Sequence, residues 1–333
     1  MEVCKNSDIP HDEWWEFISG SDNATAFQTP EFYQFYNSVP GCSADATAIY
    51  ERGKINALLV ITNQRTAGLS GFFSKRAIAY GGPVLGQSSD ELLTELIIRS
   101  TQSLKGNPIY LEIRNNNDYS AYKRAYSGMA WRYVPYLNIS LDCKGKTMDD
   151  ILKGMTYNRR REIRLSVEAG ATVHECTSDN ELREFYLILS NLYETRVKLP
   201  LPSYDFFRLF REKQIGPVFI VRHNEKVIGG SVCPCLPGRS INTLYYCGLR
   251  DYHKRIYPNH LAVMGPLEYA VRNKIDLLDF MGAGLPSKNY GVREYKKEFG
   301  GQLREYGRYV KILNPVLYYL GKSVLSIKKK SRK

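Results

Sequence analysis

The sequence predicts an α/β protein of two tandem domains, each a mixed, mostly antiparallel sheet flanked by helices. Three observations support this fold class. The chain has 333 residues, more than a single hydrophobic core usually supports. Strand and helix signals recur in the same order in both halves. The excess of basic over acidic residues lies entirely in the second half, so the two halves are expected to differ in their chemistry.

The first half opens with helices and continues with strands and helices in turn. Thr29 is a predicted N-cap followed by a proline at the first helical position. Apolar runs on either side of residues 51–54 indicate a hairpin, and Ser89 is the predicted cap of a later helix. The elements predicted in order are a helix near Trp14, a helix at 32–36, strands at 46–50, 55–60 and 77–83, a helix at 90–104, a strand at 109–113, a helix at 119–126 and a strand at 134–141.

The second half repeats this order. Thr147 and Thr156 are the predicted N-caps of two helices, and Ser178 opens a longer helix with a capping box. The elements predicted after the second of these caps are a helix ending at Gly170, a strand at 171–174, a long helix from 179, a hairpin at 218–230, a strand at 243–248, a helix at 261–272, a strand at 277–280, a charged helix at 290–297 and a final strand at 304–313.

Four pairs of matching elements are separated by nearly the same number of residues. The offsets are 171, 166, 168 and 173 for the pairs Ile49 and Ile220, Tyr80 and Tyr246, Ile109 and Leu277, and Lys123 and Lys296. This regularity favours a tandem duplication over a chance ordering of common elements. The predicted domains are residues 1–145 and 146–313, followed by a tail at 314–333.

Charge and cysteine content narrow the function classes. Residues 1–145 hold 13 Lys+Arg against 15 Asp+Glu, whereas residues 146–333 hold 33 against 19. The second half therefore favours an anionic partner, such as a nucleotide or tRNA, a pyrophosphate-linked substrate, or an anionic membrane surface. Seven scattered cysteines, with no apolar leader and no membrane-spanning run, predict a cytoplasmic protein.

Five motifs in order along the chain carry a resemblance to a known family. The motifs are Phe27–Phe32, Tyr80–Val84, Asn158–Arg164 with Gly170, Asp279–Ala283, and Tyr290–Val292 with Lys297–Gly301. The repeated unit resembles the GNAT acyltransferase fold. Two such units in tandem resemble the Fem (FemABX) family, the non-ribosomal aminoacyltransferases that build peptidoglycan cross-bridges.

The resemblance implies an enzyme that moves an amino acid from aminoacyl-tRNA to an amine of a muramyl-peptide precursor, with no permanently bound cofactor. The first domain would bind the acceptor and the second would catalyse transfer. Two departures keep other donors and acceptors open: Gln34 stands where relatives tend to have a lysine, and residues 181–213 contain no coiled-coil arm for tRNA. One alternative is an acyl-CoA-dependent N-acetyltransferase acting on an amino sugar or a cell-surface polysaccharide precursor. Another is a non-catalytic basic module that binds RNA or membrane.

The charged helix after the strand at 277–280 is the predicted catalytic element, because open α/β sheets bind ligands at the carboxyl ends of strands. Tyr290, Arg293 and Lys297 are spaced i, i+3 and i+7 and are expected on one face. The resemblance implies that Lys297 lies by the acyl transfer channel, where a cation would stabilise the carbonyl oxyanion. Asp279 or a carboxylate of the substrate would orient the amine, and the predicted catalytic residues are Lys297, Asp279 and Tyr290. The alternative is a surface helix in which Lys297 pairs with the acidic residues around it.

Four arginines lie within six residues at the start of the helix that ends at Gly170. Arg160 and Arg164 are i, i+4 neighbours, and Arg161 and Arg164 are i, i+3 neighbours, so their guanidiniums are expected to grip a pyrophosphate. The alternative is a solvated basic face paired with Glu162. The predicted substrate-binding residues are Arg159, Arg160, Arg161, Arg164, Arg293, Gln34 and Tyr246.

The loop at 250–260 joins a strand to a helix, where GNAT enzymes hold the pyrophosphate of acyl-CoA on backbone amides. It contains no glycine, which disfavours coenzyme A and leaves room for a larger donor. His253 and His260 offer bases, although loop histidines more often lie at the surface or cap helices. Cys233 and Cys235 lack a second ligand pair at zinc spacing, so no metal site is predicted.

The tail at 314–333 is a predicted amphipathic helix with a basic end. Its apolar stripe consists of Val316, Leu317, Leu320, Val324 and Ile327. Such a helix is too short to span a bilayer, but with the basic residues 328–333 it can rest on an anionic leaflet at the inner membrane face. Alternatively, the helix packs on its own domain.

Overall fold

The computed structural model of the chain describes residues 2–64, 75–102 and 104–320. These residues form two compact units. Unit 1 contains the described residues up to Pro135 together with those from Tyr306 onward, and unit 2 is Tyr136–Glu305.

The strands and helices follow the predicted order closely. The helices are α1 His11–Gly20, α2 Pro30–Ser38, α3 Asp90–Thr101, α4 Lys123–Gly128, α5 Met148–Gly154, α6 Tyr157–Glu168, α7 Asp179–Leu192, α8 Tyr204–Glu212, α9 Pro258–Arg272 and α10 Gly291–Lys297. The strands are β1 Glu2–Lys5, β2 Cys42–Glu51, β3 Lys54–Gln64, β4 Arg76–Gly81, β5 Val84–Leu85, β6 Tyr110–Asn115, β7 Arg132–Val134, β8 Leu137–Asp142, β9 Ala171–Glu175, β10 Val218–His223, β11 Lys226–Val232, β12 Cys235–Leu236, β13 Ser240–Asn242, β14 Tyr245–Gly248, β15 Leu277–Gly282, β16 Gln302–Glu305 and β17 Arg308–Ile312.

Unit 1 is built on one eight-stranded sheet of order β1-β2-β3-β4-β6-β17-β7, with β5 beside β3. Only the β4 and β6 pair is parallel among the described strands of this sheet. Leu93 and Leu96 of α3 and Tyr126 of α4 pack with Ile113 and Tyr309 of the sheet to form a buried core. Unit 1 is therefore the mixed, mostly antiparallel domain that the sequence predicts.

Two of the sequence motifs meet at the start of α2. Thr29 caps the helix, since its Oγ1 accepts from Phe32 N at 3.2 Å. The side chain of Gln28 is fully buried, and its Nε2 donates to the carbonyls of Tyr80 (2.9 Å) and Gly82 (3.1 Å). Gly81 has a φ of +82°, and a Cβ there would lie 2.1 Å from Gln28 Nε2, so only glycine fits. These motifs thus hold α2 against the end of β4.

Unit 2 contains two sheets, of order β14-β11-β10-β9 and β12-β13-β15-β8-β16. Helix α9 packs on strands of both sheets. The core between them contains Phe219, Ile228, Leu267, Leu278 and Phe280, all 3% exposed or less. Between α7 and α8 the chain makes a π-helical turn at Tyr193–Val197 and then a segment that contains Pro200 and Pro202.

The division between the units differs from the predicted boundary at 145. The strand expected at 134–141 is two strands, and the second of these, β8, lies in unit 2 between β15 and β16. The alternation of buried Leu137, Ile139 and Leu141 specifies a strand but not its partner. The sequence pattern therefore located the element and left its sheet undetermined.

The strand expected at 304–313 is also divided. Gly307, with a φ of +69°, separates β16 in unit 2 from β17, which pairs with β6 and β7 of unit 1. Two contacts place β17 there. The Tyr309 ring stacks on the Tyr126 ring, with their centroids 3.7 Å apart. Arg308 Nη1 donates to Glu112 Oε1 at 2.6 Å. The last described strand thus joins the first sheet.

The described part of the tail is a helix at 315–320, in which Val316, Tyr319 and Leu320 are exposed. Val324, Ile327 and the basic residues 328–333 lie outside the described residues. Within the described ranges, no helix combines the length and the apolar character needed to cross a bilayer.

Candidate active site

Polar side chains collect in unit 2 where its two sheets part. Strand β13 runs parallel to β15, with Asn242 opposite Asp279, whereas β14 pairs with β11 in the other sheet. Thr243 N donates to Asp279 O (2.9 Å), and Leu244 N donates to Val232 O (3.1 Å). The chain therefore changes sheets within two residues, directly beside Asp279. Open sheets bind ligands at such a point.

Asp279 is buried at this point, with 4% of its surface exposed. Its Oδ1 accepts from Met281 N at 2.5 Å, and its Oδ2 accepts from Asn242 Nδ2 at 3.4 Å. Burial raises the pKa of Asp279 to about 6, although the Met281 amide and the Lys296 charge oppose the rise. A carboxylate in this range takes up a proton far more readily than an exposed aspartate does.

Lys296 of α10 is buried on the same strand end, with 5% of its surface exposed. Its Nζ donates to Phe280 O at 2.5 Å and to Gly282 O at 2.8 Å. Burial lowers the pKa of Lys296 to about 8, and the Asp279 charge partly offsets the fall. The two bonds use two of the three hydrogens of an ammonium group, which leaves one for a further acceptor.

The other predicted residues of α10 lie differently. Lys297 is exposed and forms an ion pair with Glu294 at 2.9 Å. Arg293 is buried, and its guanidinium donates to three backbone carbonyls of residues 283–288 at 2.5 to 3.0 Å, so it holds the loop before the helix. Tyr290 is the N-cap residue, is 42% exposed and packs beside Gly284. The predicted common face is therefore divided: Arg293 and Lys296 face inward, and Lys297 faces outward.

The structure also separates the four arginines of α6. Arg159 is buried, with 2% exposed. Arg160 donates to three backbone carbonyls at the end of α5, at 2.7 to 3.3 Å. Arg161 is exposed. Arg164 is also exposed and forms an ion pair with Glu168, with its Nε 3.6 Å from Glu168 Oε1. The four guanidiniums do not all share one face, because Arg159 is packed in the core and Arg160 is bonded to the end of α5, which leaves Arg161 and Arg164 exposed.

Tyr246 lies against the α10 end of the site. Its ring is nearly parallel to that of Tyr295, with centroids 6.3 Å apart. Burial raises the pKa of Tyr246 well above its usual range, so its hydroxyl is a donor and not a phenolate at neutral pH. Gln34, predicted to contact substrate, is an exposed residue of α2 in unit 1.

Three residues that sequence reasoning did not select belong to the site. Lys296 is one of them. Two sequence features could have indicated that it belongs to the site: it is the repeat counterpart of Lys123, and it is spaced i, i+3 from Arg293. The others are Asn242 and Thr243. Within the described residues, Asn242 Oδ1 and Thr243 Oγ1 are buried without a hydrogen-bond partner. A short polar pair on a strand carries no sequence signal of this kind.

The arrangement offers a cationic donor, a carboxylate and neutral polar groups at one strand end. In the described ranges, no group of three or more histidine, cysteine, aspartate or glutamate side chains could hold a metal ion. Acid-base and electrostatic chemistry are what these residues can supply directly.

Comparison with solved structures identifies the fold. FemX superposes with a TM-score of 0.72 at 15% identity, covering 96% of this chain and 99% of that chain. The C-terminal domain of a putative lysylphosphatidylglycerol synthetase from Agrobacterium fabrum gives 0.59 at 10% identity, covering 95% of each chain. A tandem GNAT protein from the clavulanic acid biosynthesis pathway gives 0.57 at 13% identity, covering 94% of this chain and 99% of that one.

Sequence comparison gives no such match: no protein-family model matches the chain, and no curated protein matches it. Similarity at these identities lies in the fold, and it extends over nearly the whole chain. The chain has a Fem-like fold of two tandem GNAT domains.

Proposed function

We propose that the protein is an N-acyltransferase that moves an amino acid from aminoacyl-tRNA to an amine of a peptidoglycan precursor. The observation that carries this proposal is Lys296, a buried cation bonded to two carbonyls at the carboxyl end of β15 beside Asp279. Acyl transfer to an amine requires stabilisation of a carbonyl oxyanion and removal of a proton. The likeness to FemX in fold supports the aminoacyl donor.

In the proposed reaction, the uncharged acceptor amine attacks the carbonyl carbon of the aminoacyl ester. A C–N bond forms and the carbonyl oxygen becomes an oxyanion. The oxyanion accepts a hydrogen bond from the third N–H of Lys296 Nζ. The C–O bond to the ribose then breaks, the amine loses a proton and the ribose oxygen gains one. Asp279 keeps Lys296 charged and, with a pKa of about 6, can take the proton from the amine.

The remaining candidates are proposed to contact substrate. Arg161 and Arg164 are the arginines of α6 whose side chains are exposed, so they are the ones proposed to hold a pyrophosphate. Gln34 and Tyr290 are also exposed and are proposed as further substrate contacts, whereas Lys297 is paired with Glu294 and is proposed to take no part in transfer. The muramyl-peptide or another amine is the proposed acceptor.

Two alternatives have observations in their favour. An acyl-CoA-dependent N-acetyltransferase acting on an amino sugar or a polysaccharide precursor is favoured by the likeness to the tandem GNAT protein. The glycine-free loop at 250–257 speaks against it, because close approach of phosphates to backbone amides usually uses glycine. A non-catalytic RNA- or membrane-binding module is favoured only by the basic charge of the second half.

A transfer assay separates these possibilities. The purified protein is incubated with UDP-muramyl-pentapeptide and either radiolabelled aminoacyl-tRNA or radiolabelled acetyl-CoA. We expect label on the acceptor from aminoacyl-tRNA only. Transfer from acetyl-CoA only would favour the first alternative. Absence of transfer from both, with retained tRNA binding, would favour the binding module.

We also propose that the tail at 314–333 rests on an anionic membrane surface. The exposed apolar residues of the helix at 315–320 precede six Lys and Arg residues in the last 13 positions, which contain no acidic residue. Deletion of residues 321–333 is expected to abolish sedimentation with phosphatidylglycerol vesicles, whereas phosphatidylcholine vesicles should bind neither form. Equal sedimentation of both forms with the anionic vesicles would refute this role.

A further inference from the structure

Arg159, at the start of α6, is buried against the helix that carries Lys296. Its guanidinium carbon lies 4.5 Å from the ring centroid of Tyr295 and 4.6 Å from that of Phe299. Its Nη2 donates to Glu298 Oε2, and its Nη1 contacts the ring of His260. A guanidinium that is 2% exposed, with both Nη atoms engaged, is poorly placed to bind a pyrophosphate from solution.

The residues of this segment that Arg159 contacts lie on both sides of Lys296 in the sequence. Tyr295 precedes Lys296, whereas Glu298 and Phe299 follow it by two and three residues. Helix α10 contains only seven residues. A rotation of about 100° about its axis would bring Lys297 to the direction that Lys296 has now. Contacts on both sides of Lys296 oppose such a rotation.

Further contacts join the same segments. Thr156 N donates to Glu298 O at 3.0 Å, so the start of α6 and the end of α10 are also bonded through their backbones. His260 of α9 lies 3.0 Å from Glu162 Oε2 and 3.4 Å from the Tyr295 hydroxyl. Burial and the charge of Arg159 lower the pKa of His260 to about 3, so His260 is neutral and Arg159 is the cation of this cluster.

We propose that Arg159 is a positioning residue that fixes the rotation of α10, so that Lys296 and not Lys297 faces the end of β15. This inference rests on the proposed function for its catalytic consequence. The placement of Lys296 can be measured independently of any activity.

The test is Arg159→Lys, which keeps the charge but loses the planar fork and its stacking on the two rings. The Lys296 pKa is measured by NMR titration of the protein labelled with ¹³C-lysine, with the resonance assigned by its loss in Lys296→Arg. We expect the pKa of Lys296 to rise by at least about one unit toward its usual value, because the amine becomes more solvated. Arg222→Lys, which alters an arginine bonded to Glu181 at 3.0 Å, is the matched control and should leave the pKa unchanged.

The second readout is transfer kinetics. Misplacement of Lys296 by about 1 Å is expected to lower kcat about 100-fold in Arg159→Lys, with the acceptor KM unchanged. An unchanged Lys296 pKa would overturn the proposal, as would a raised acceptor KM with unchanged kcat, which is the result expected of a pyrophosphate ligand. If Arg159→Lys does not fold, Glu298→Gln removes the ion pair and leaves the rings, and the same shift in pKa is required of it. If the unmodified protein transfers no acyl group, the proposed function fails, while the titration still decides the role of Arg159.

Discussion

Replacing Lys296 by methionine removes the buried ammonium and retains a side chain of similar length. The loss of one oxyanion donor typically lowers kcat by about 10² to 10³, equivalent to about 3 to 4 kcal/mol. The stability change should be small because two effects oppose each other. The carbonyls of Phe280 and Gly282 each lose a bond worth about 1 to 3 kcal/mol. The cost of burying a charged amine, roughly 3 kcal/mol for a pKa lowered from 10.5 to about 8, is relieved.

Lys297→Met is the matched control, because the two lysines are adjacent and differ in direction. Single-turnover transfer from aminoacyl-tRNA measures the chemical step, and thermal unfolding of each variant verifies the fold. We expect Lys296→Met to lose about two to three orders of magnitude in rate and Lys297→Met to stay within a few-fold of the unmodified protein. The opposite ranking, with both variants folded, would refute the assignment of the oxyanion donor to Lys296.

Three further predictions concern pH and packing. The transfer rate should fall as pH rises through about 8, where Lys296 loses its proton, and Lys296→Met should lack this fall. The free energy of unfolding of the unmodified protein should also rise relative to that of Lys296→Met between about pH 8 and 10.5. In this range the lysine is protonated in the unfolded chain but not in the folded protein. Tyr309→Ala should reduce the free energy of unfolding by about 3 to 5 kcal/mol in chemical denaturation, since the ring is buried and stacked on Tyr126. Gln28→Ala should cost about 3 kcal/mol, because it leaves buried carbonyls of Tyr80 and Gly82 unpaired, and a loss below about 1 kcal/mol would contradict that role.

Local chemistry made the helix starts predictable from sequence. Thr29, Ser89, Thr147, Thr156 and Ser178 all cap helices through their side-chain oxygens, because each precedes a backbone N–H that has no partner within its helix. The hairpin of β10 and β11 was equally local. The tandem GNAT fold followed from the regular offset of such elements and from the resemblance of the motifs.

Long-range choices were not predictable from the same patterns. Strands β8 and β17 were identified, but hydrophobic alternation does not determine which sheet a strand joins. On α10, the spacing and the family resemblance gave Lys297, whereas the buried face depends on the packing of Tyr295 and Phe299 against Arg159, which is far from α10 in sequence. The four arginines of α6 were separated for the same reason, since burial of one side of a helix is a property of its tertiary contacts.

The central claim is that the protein transfers an amino acid from aminoacyl-tRNA to the acceptor amine. The most direct test is the mass of the acceptor, UDP-muramyl-pentapeptide, after incubation with the protein and aminoacyl-tRNA. The account predicts an acceptor heavier by one aminoacyl residue attached through an amide, with one deacylated tRNA released for each product. An unchanged acceptor in the presence of aminoacyl-tRNA, together with an acetylated one in the presence of acetyl-CoA, would contradict it.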